Sequence, residues 1–286
     1  MKVAVVGSGA MGRWFASFAR QNLGEVVVAD AEVRRAKAAA EELGVRAAKS
    51  AEEAVAKADV AIVAVPIPKT PEVVRSLSQH MGEGSLLMDI ASVKSDVVDV
   101  MKELKAELEL VSIHPLFGPG ARDVSGKDFL AVPVRPGEMY AWFKGRLLEL
   151  GARVTEVEAE EHDRLMAISQ SLTHFVLLSY LSALSSMKES KRASGLRTPM
   201  FDALLDVALA LLAGNPEMYG EIQVFNRYSQ LARSVLMEAC NSLNIAFAAG
   251  DVKAVRKIFD DAMKLWGKAD VKGAYRRLYE RFEVKG

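Results

Sequence analysis

The chain has 286 residues, of which 50% are hydrophobic and 26% charged, so its composition indicates a packed globular protein and argues against a disordered one. Lys and Arg together number 37, as do Asp and Glu, and this zero net charge argues against a nucleic-acid-binding protein. At roughly 150 residues per domain, the length predicts two domains.

The first half of the chain alternates short β-branched runs with helical patterns. The run VAIVAV at 60–65 lacks polar alternation, which is typical of a parallel strand covered on both faces. Strands alternating with helices predict an α/β fold, with a Rossmann-type doubly wound parallel sheet over residues 1–157. The predicted strands are 2–6, 25–29, 60–65, 85–90, 109–113, 129–134 and 153–157, and the predicted helices are 11–22, 33–43, 51–57, 70–80, 96–108 and 138–150.

The second half has long helical patterns and no convincing strand. Helices are predicted at 159–188, 199–213, 216–248 and 251–283, with a basic loop at 188–199. Apolar helices rich in small residues suit a subunit interface. We therefore predict an all-α domain over 158–286 that binds substrate and forms a homodimer.

The single cysteine and the start of the chain bear on metals and on location. One cysteine, Cys240, leaves no partner for a disulfide or a cysteine-based metal site within one chain, so we expect it buried in a helix and expect no metal. The chain begins on an apolar strand without a signal-peptide pattern, and charges interrupt its apolar runs. We expect no transmembrane helix and a cytoplasmic protein.

A glycine-rich loop joins the first predicted strand to the first helix. In the loop, Gly7 permits a tight turn, Gly9 lets the backbone approach a pyrophosphate, and Gly12 lets the helix pack closely on the strand. The pyrophosphate would lie on the N–H groups of the helix N-terminus. The loop residues predicted to bind a dinucleotide are Gly7, Ser8, Gly9, Ala10, Met11 and Gly12.

An acidic residue, Asp30, ends the second predicted strand. Its carboxylate is placed to bind the ribose hydroxyls of NAD and to repel the 2′-phosphate of NADP, so NAD is the predicted cofactor. Arg34 and Arg35 follow at once and leave NADP open as an alternative. Pro66, just after the strand at 60–65, is expected to border the nicotinamide side of the cleft, although strand termination explains it almost as well.

Two strand ends deliver polar side chains to the same edge of the sheet. His114 is the first residue after the strand predicted at 109–113, and Pro115 keeps the backbone there extended. A histidine beside a nicotinamide is a natural acceptor for a hydroxyl proton, which makes His114 the candidate base. Ser92 follows the strand at 85–90 and is the second catalytic candidate, whereas Ser95 needs only to cap the next helix.

A polar patch interrupts the first long helix of the second half. Gln170 and His174 are four residues apart and would share a helix face, so we predict that they bind substrate, although a polar seam in a dimer is an alternative. His80 and His162 lie in charged stretches that predict exposure, and neither is assigned a role.

The chain resembles the prephenate and arogenate dehydrogenases of tyrosine biosynthesis, also called cyclohexadienyl dehydrogenases. The resemblance covers essentially the whole chain, and its pairing of DxxSVK with HPxFGP is more specific than the glycine loop. The matching stretches are GSGAMG at 7–12, DIASVK at 89–94, HPLFGP at 114–119, QSLTHF at 170–175, TPMF at 198–201 and GNPEMY at 214–219.

The resemblance implies oxidative decarboxylation of prephenate to 4-hydroxyphenylpyruvate with reduction of NAD. It implies that His114 accepts the proton of the ring hydroxyl while hydride leaves the same carbon for the nicotinamide. Ser92 would then hydrogen-bond that hydroxyl or His114, and His174 would help to hold the substrate. Loss of the ring carboxylate as CO2 restores aromaticity.

One position departs from the family pattern. Many members carry an arginine that binds a substrate carboxylate where this chain has Ala210. A guanidinium matches a carboxylate well, so Arg227 is the first substitute, with Arg197 and Arg192 of the basic loop behind it. This change leaves prephenate and arogenate both open as substrates.

Two other classes compete with this interpretation. The β-hydroxyacid dehydrogenases also join a Rossmann domain to a helical domain, but their GxxxNxxK pattern is absent from this sequence. A sensor that only binds a dinucleotide would have no need of a base beside the nicotinamide.

Overall fold

A computed structural model describes residues 1–196 and 198–284, apart from the side chain at 284. It divides the chain into two compact units, the first spanning Met1–Met166 and the second starting at Ala167. The sequence-based boundary between residues 157 and 158 stays a prediction.

The first unit is built on one eight-stranded sheet with strand order β3-β2-β1-β4-β5-β6-β7-β8. Every neighbouring pair is parallel except β6 and β7, which are antiparallel. The predicted α/β fold class is confirmed. The strands are β1 Lys2–Val6, β2 Glu25–Ala29, β3 Arg46–Ala47, β4 Val60–Val63, β5 Leu86–Asp89, β6 Glu109–Pro115, β7 Asp128–Arg135 and β8 Arg153–Glu156.

Helices cover both faces of this sheet, as uninterrupted apolar strands require. Successive strand residues point to opposite sides: Val3 and Val5 join the cluster around Phe15, whereas Ala4 and Val6 join the cluster around Met101. The helices are α1 Ala10–Asn22, α2 Val33–Leu43, α3 Ala51–Val55, α4 Thr70–Leu77, α5 Ser95–Glu103, α6 Glu138–Glu149 and α7 Ala159–Met166, and a 3₁₀ turn spans Ile67–Lys69.

Strand β6 runs two residues further than predicted. The sequence placed His114 just beyond the strand, but His114 pairs with Leu130 of β7 and Pro115 pairs with Phe129. The antiparallel partner is the reason, because it continues the ladder past the point where the parallel neighbour β5 ends.

The second unit is helical throughout its described residues. Its first helix starts with a π-helical turn, Ala167–Leu172, and a non-helical glycine, Gly267, interrupts the last. The helix predicted at 216–248 is two helices, because the chain leaves helical geometry at Asn226. The elements are α8 Thr173–Ser186, α9 Ser190–Ala193 within the predicted basic loop, α10 Pro199–Leu211, α11 Pro216–Phe225, α12 Ser229–Ala248 and α13 Ala254–Val284.

Much apolar surface of this unit lies open in a single chain. Leu231 and Val235 of α12 and Trp266 of α13 are more than half exposed. Cys240 is exposed too, so its predicted burial is wrong. The reason is that α12 buries only Ser229 within the chain.

The helical stretch Ala159–Ser186 is long and apolar enough, by length and composition alone, to cross a membrane. The expectation that charges would interrupt every such run is therefore wrong for this stretch, since its charges cluster before residue 165. Core helices of soluble proteins pass the same test, so it is weak evidence for a membrane span.

Candidate active site

The glycine loop has the geometry that close packing demands. Gly7 has a φ of +102°, and a Cβ built on it would collide with the carbonyl oxygen of Ala64. A Cβ on Gly12 would collide in the same way with Gly7. No described atom lies within 4 Å of a Cβ built on Gly9, so the open side of the loop is at the middle glycine.

The start of α1 suits an anion. Its N-cap, Gly9, supplies no side chain to the terminal N–H groups, and the first turn carries no acidic residue. Ala10 is exposed there, while Met11 packs against the hydrophobic cluster below. Free N–H groups beside an open glycine fit the pyrophosphate of a dinucleotide.

Asp30 lies beside this loop and is tied to it. Its Oδ2 accepts hydrogen bonds from the Ser8 N–H and hydroxyl, both at 2.7 Å, and its Oδ1 accepts one from the Glu32 N–H at 3.0 Å. Burial alone would raise the pKa of Asp30, but these bonds outweigh it and lower the pKa below its usual value. The carboxylate is thus ionised and fixed next to the loop. Arg35 pairs with Glu32 at 3.7 Å, and Pro66 is exposed at the start of the 3₁₀ turn.

His114 is 3% exposed and belongs to a buried chain of polar groups. Its Nδ1 lies 2.9 Å from Nε2 of His162, whose Nδ1 lies 2.8 Å from Oδ1 of Asp163. Burial, followed by the electrostatic influence of His162 and Lys94, lowers the pKa of His114 well below its usual value. The imidazole of His114 is therefore neutral at pH 7, as a base must be.

The predicted exposure of His162 is wrong, since its side chain is fully buried. The charged run EEHD pointed to solvent, but α7 packs against α5 and turns this histidine and Asp163 inward. His80 is exposed as expected.

Asp163 performs the capping that the sequence assigned to Ser95. Its carboxylate accepts the N–H groups of Lys94 and Ser95, both at 2.9 Å, and the Ser95 hydroxyl at 2.5 Å. Ser95 therefore donates its hydroxyl proton instead of capping its own helix. Burial would raise the pKa of Asp163, but the hydrogen bonds from His162, Ser95 and Lys94 lower it.

Lys94 is the third buried member that sequence reasoning missed. Its Nζ donates to Asp89 Oδ1 at 3.0 Å and to the carbonyl of Ile113 at 2.6 Å, which anchors the residue before His114. Ser92 lies half-buried in the same loop, between β5 and α5. The DxxSVK stretch held the only sequence signal for Lys94.

The second unit carries the two predicted substrate-binding residues His174 and Gln170. The rings of His174 and Tyr219 meet edge-on with centroids 4.8 Å apart. His174 Nδ1 and Gln170 Oε1 are buried without a partner among the described residues, and such unsatisfied atoms suit a bound polar ligand. Gln170 lies in the π-helical turn, so the regular four-residue spacing behind its prediction does not hold there.

The predicted cations are spread over the second unit. Arg227 is exposed in the break between α11 and α12, Arg192 is exposed on α9, and Arg197 lies outside the described residues. The sequence missed Arg233, which is half-buried and donates from Nη1 to the carbonyl of Gln223 at 2.8 Å and to its Oε1 at 2.9 Å.

Gln223 links this arginine to the π-helical turn. Its Nε2 donates to the carbonyl of Ser171 at 2.7 Å, and Ser171 directly follows Gln170. Nothing in the spacing of α12 indicated a role for Arg233, because its partner, Gln223, belongs to another helix, α11.

The doubly wound sheet, the glycine loop with its acidic partner and the helical second unit together define a dinucleotide-binding dehydrogenase. Residues 15–134 match the model of the prephenate dehydrogenase nucleotide-binding domain, and residues 158–261 match that of the prephenate dehydrogenase dimerization domain. A probable arogenate/prephenate dehydrogenase of Methanocaldococcus jannaschii is 30% identical over 94% of this chain and 61% of its own length. A 4-amino-4-deoxyprephenate dehydrogenase of Streptomyces pristinaespiralis is 31% identical over 93% of this chain and 91% of its own length.

The chain belongs to the prephenate dehydrogenase family. Membership confirms the predicted class, a dehydrogenase family with a nucleotide-binding Rossmann domain, and the match over 158–261 supports the predicted homodimer. Prephenate dehydrogenase of Aquifex aeolicus, solved with hydroxyphenyl propionate and NAD+, shares the fold with a TM-score of 0.71 at 19% identity, over 93% of this chain and 98% of that one. The chain spans less than two thirds of the M. jannaschii relative.

Proposed function

We propose that this protein is an NAD-dependent prephenate dehydrogenase, which converts prephenate to 4-hydroxyphenylpyruvate and CO2 in the cytoplasm. The observation that carries the proposal is His114, a buried, neutral histidine at the carboxyl edge of a dinucleotide-binding sheet. Arogenate is the second candidate substrate, because the M. jannaschii relative is named for both compounds.

The proposed base is His114, through its Nε2. It accepts the proton of the ring C4 hydroxyl, and the electron pair of that O–H bond forms the carbonyl as hydride leaves C4. Bound NAD+ supplies the acceptor for this hydride. Ser92 orients the hydroxyl. The electron pair of the breaking bond to CO2 moves into the ring and onto the C4 oxygen, which takes the proton back from His114 and leaves an aromatic phenol.

The cofactor is held by the loop residues 7–12 and by Asp30. The free N–H groups at the start of α1 donate hydrogen bonds to the pyrophosphate. The fixed Asp30 carboxylate accepts hydrogen bonds from the ribose hydroxyls and repels a 2′-phosphate. Pro66 borders the nicotinamide side.

The substrate carboxylates need a cation, which the family position Ala210 does not supply. Arg227 stays the proposed clamp, with His174 and Gln170 as further substrate contacts. Arg233 joins Arg192 and Arg197 as an alternative, because Gln223 already fixes its guanidinium in one orientation.

The test is an assay of purified protein with prephenate or arogenate and NAD+ or NADP+. Absorbance of the reduced cofactor and chromatography of the product report turnover. We expect NAD+-dependent formation of 4-hydroxyphenylpyruvate from prephenate. Turnover of arogenate alone would reassign the substrate, and turnover of neither compound would overturn the proposal.

A further inference from the structure

We propose that His162 and Asp163 are positioning residues that hold His114 in the one tautomer able to act as a base. The inference rests on the proposed function, since it explains how the proposed base is set. It is based on a buried series of hydrogen bonds: Asp163 Oδ1 lies 2.8 Å from His162 Nδ1, and His162 Nε2 lies 2.9 Å from His114 Nδ1.

The direction of each hydrogen bond follows from the carboxylate end. Asp163 accepts from two backbone N–H groups and one hydroxyl, and its pKa is lowered, so it is ionised and only accepts. His162 Nδ1 must therefore carry the proton of the bond to Asp163. Burial, as the largest influence, lowers the pKa of His162, so this ring is neutral and its Nε2 is a bare acceptor.

A bare Nε2 on His162 fixes the tautomer of its neighbour. His114 Nδ1 must donate across the 2.9 Å contact, which leaves Nε2 of His114 without a proton. That lone pair is the one that accepts the substrate proton. In the opposite tautomer both facing nitrogens would be acceptors, and the Nε2 of His114 would be blocked by its own proton.

The same series of hydrogen bonds also stabilises the protonated form of His114 that the reaction produces. When His114 becomes an imidazolium, its Nδ1–H bond to His162 strengthens, and the Asp163 carboxylate lies behind that ring. Among the described residues, the charged or titratable groups of the buried network around His114 are His162 and Asp163 from α7, Lys94 from the loop before α5, and Asp89 from β5. Lys94 opposes protonation of His114. The ionised Asp163 carboxylate reaches His114 only through the His162 ring.

Two substitutions at His162 separate positioning from packing. His162→Phe keeps a ring but no nitrogen, whereas His162→Gln lacks the ring but keeps an oxygen that can accept from His114. We expect kcat to fall by at least about tenfold in His162→Phe, and by no more than the roughly 10²–10⁴-fold that a general base contributes. His162→Gln should recover part of this loss. A packing role predicts the reverse order, and kcat in His162→Phe equal to wild type would overturn the inference.

Asp163→Asn adds a pH readout. Loss of the carboxylate destabilises the protonated histidine pair, so kcat should fall and the acidic limb of the kcat profile should move to lower pH. An unmoved limb contradicts the inference. His80→Phe and Asp99→Asn make the same changes at exposed positions and should behave as wild type.

The tautomer itself can be measured without substrate. The chain has 4 histidines, so ¹⁵N-labelled imidazoles are resolvable by NMR. We expect the proton of His114 on Nδ1 in wild type and on Nε2, or exchanging, in His162→Phe. A wild-type His114 protonated on Nε2 would overturn the inference even in an active enzyme. An inactive wild type with the expected tautomer would instead count against the proposed function.

Discussion

Single residues decide the chemistry proposed for this site, and His114 is the first to test. His114→Asn keeps a hydrogen-bonding side chain but removes the base, so we expect kcat to fall by about 10²–10⁴ while NAD affinity stays near wild type. Stopped-flow turnover and fluorescence titration of NAD measure the two. A variant at near wild-type rate would remove His114 from the mechanism.

The pH dependence follows from the same residue. If His114 is the base, as proposed, activity needs its neutral form and is lost as the pH falls through its pKa. Because burial lowers that pKa well below 6.5, the acidic limb of kcat/KM in wild type should lie below pH 6.5. In His114→Asn that limb should disappear, and its retention would assign it to another group.

We predict that Asp30 sets the preference for NAD over NADP. Asp30→Ser removes the charge that repels a 2′-phosphate, while Arg34 and Arg35 remain nearby, so the preference of kcat/KM for NAD over NADP should narrow. Steady-state kinetics with both cofactors check this. If the wild-type kcat/KM for NADP already equals that for NAD, then Arg34 and Arg35, and not Asp30, determine which cofactor is used.

Among the elements, α12 and the break before it carry the residues that we propose to anchor the substrate, Arg233 and Arg227. If Arg227 clamps a carboxylate, Arg227→Ala should raise KM for prephenate by roughly 10- to 150-fold, the equivalent of about 1.5–3 kcal/mol, and leave NAD binding alone. Arg227→Lys should recover only part, because an ammonium lacks the planar fork.

Arg233→Ala is the matched comparison within the same region. A KM within about twofold of wild type for Arg227→Ala, together with a strong rise for Arg233→Ala, would move the clamp to Arg233. Arg192→Ala and Arg197→Ala extend the series to the predicted basic loop.

The elements also show what the sequence can and cannot predict. The glycine loop and seven of the eight strands were predictable because their signals are local: turn glycines and apolar runs of set length. Strand β3 was missed, because it consists of two exposed residues without an apolar run. The burial of His162 was not, because a charged helix face becomes an interior only when α7 packs on α5. The two-residue extension of β6 likewise depends on β7, which follows it in the chain.

For the whole molecule, the property to test is the oligomeric state. The exposed apolar side chains of α12 and α13 and the dimerization-domain match predict a homodimer. Light scattering coupled to gel filtration should therefore give twice the chain mass of 31.1 kDa. A monomer at micromolar concentration would contradict this.

The exposed thiol of Cys240 allows a distance between the two subunits of a homodimer to be measured. Since Cys240 is the only cysteine and stands on the surface of a single chain, one nitroxide can be attached per chain without engineering. In a homodimer, two such labels are related by symmetry, so dipolar spectroscopy should return a single distance distribution. Slow reaction of the thiol at concentrations that favour assembly, and fast reaction on dilution, would instead locate Cys240 beneath the partner subunit.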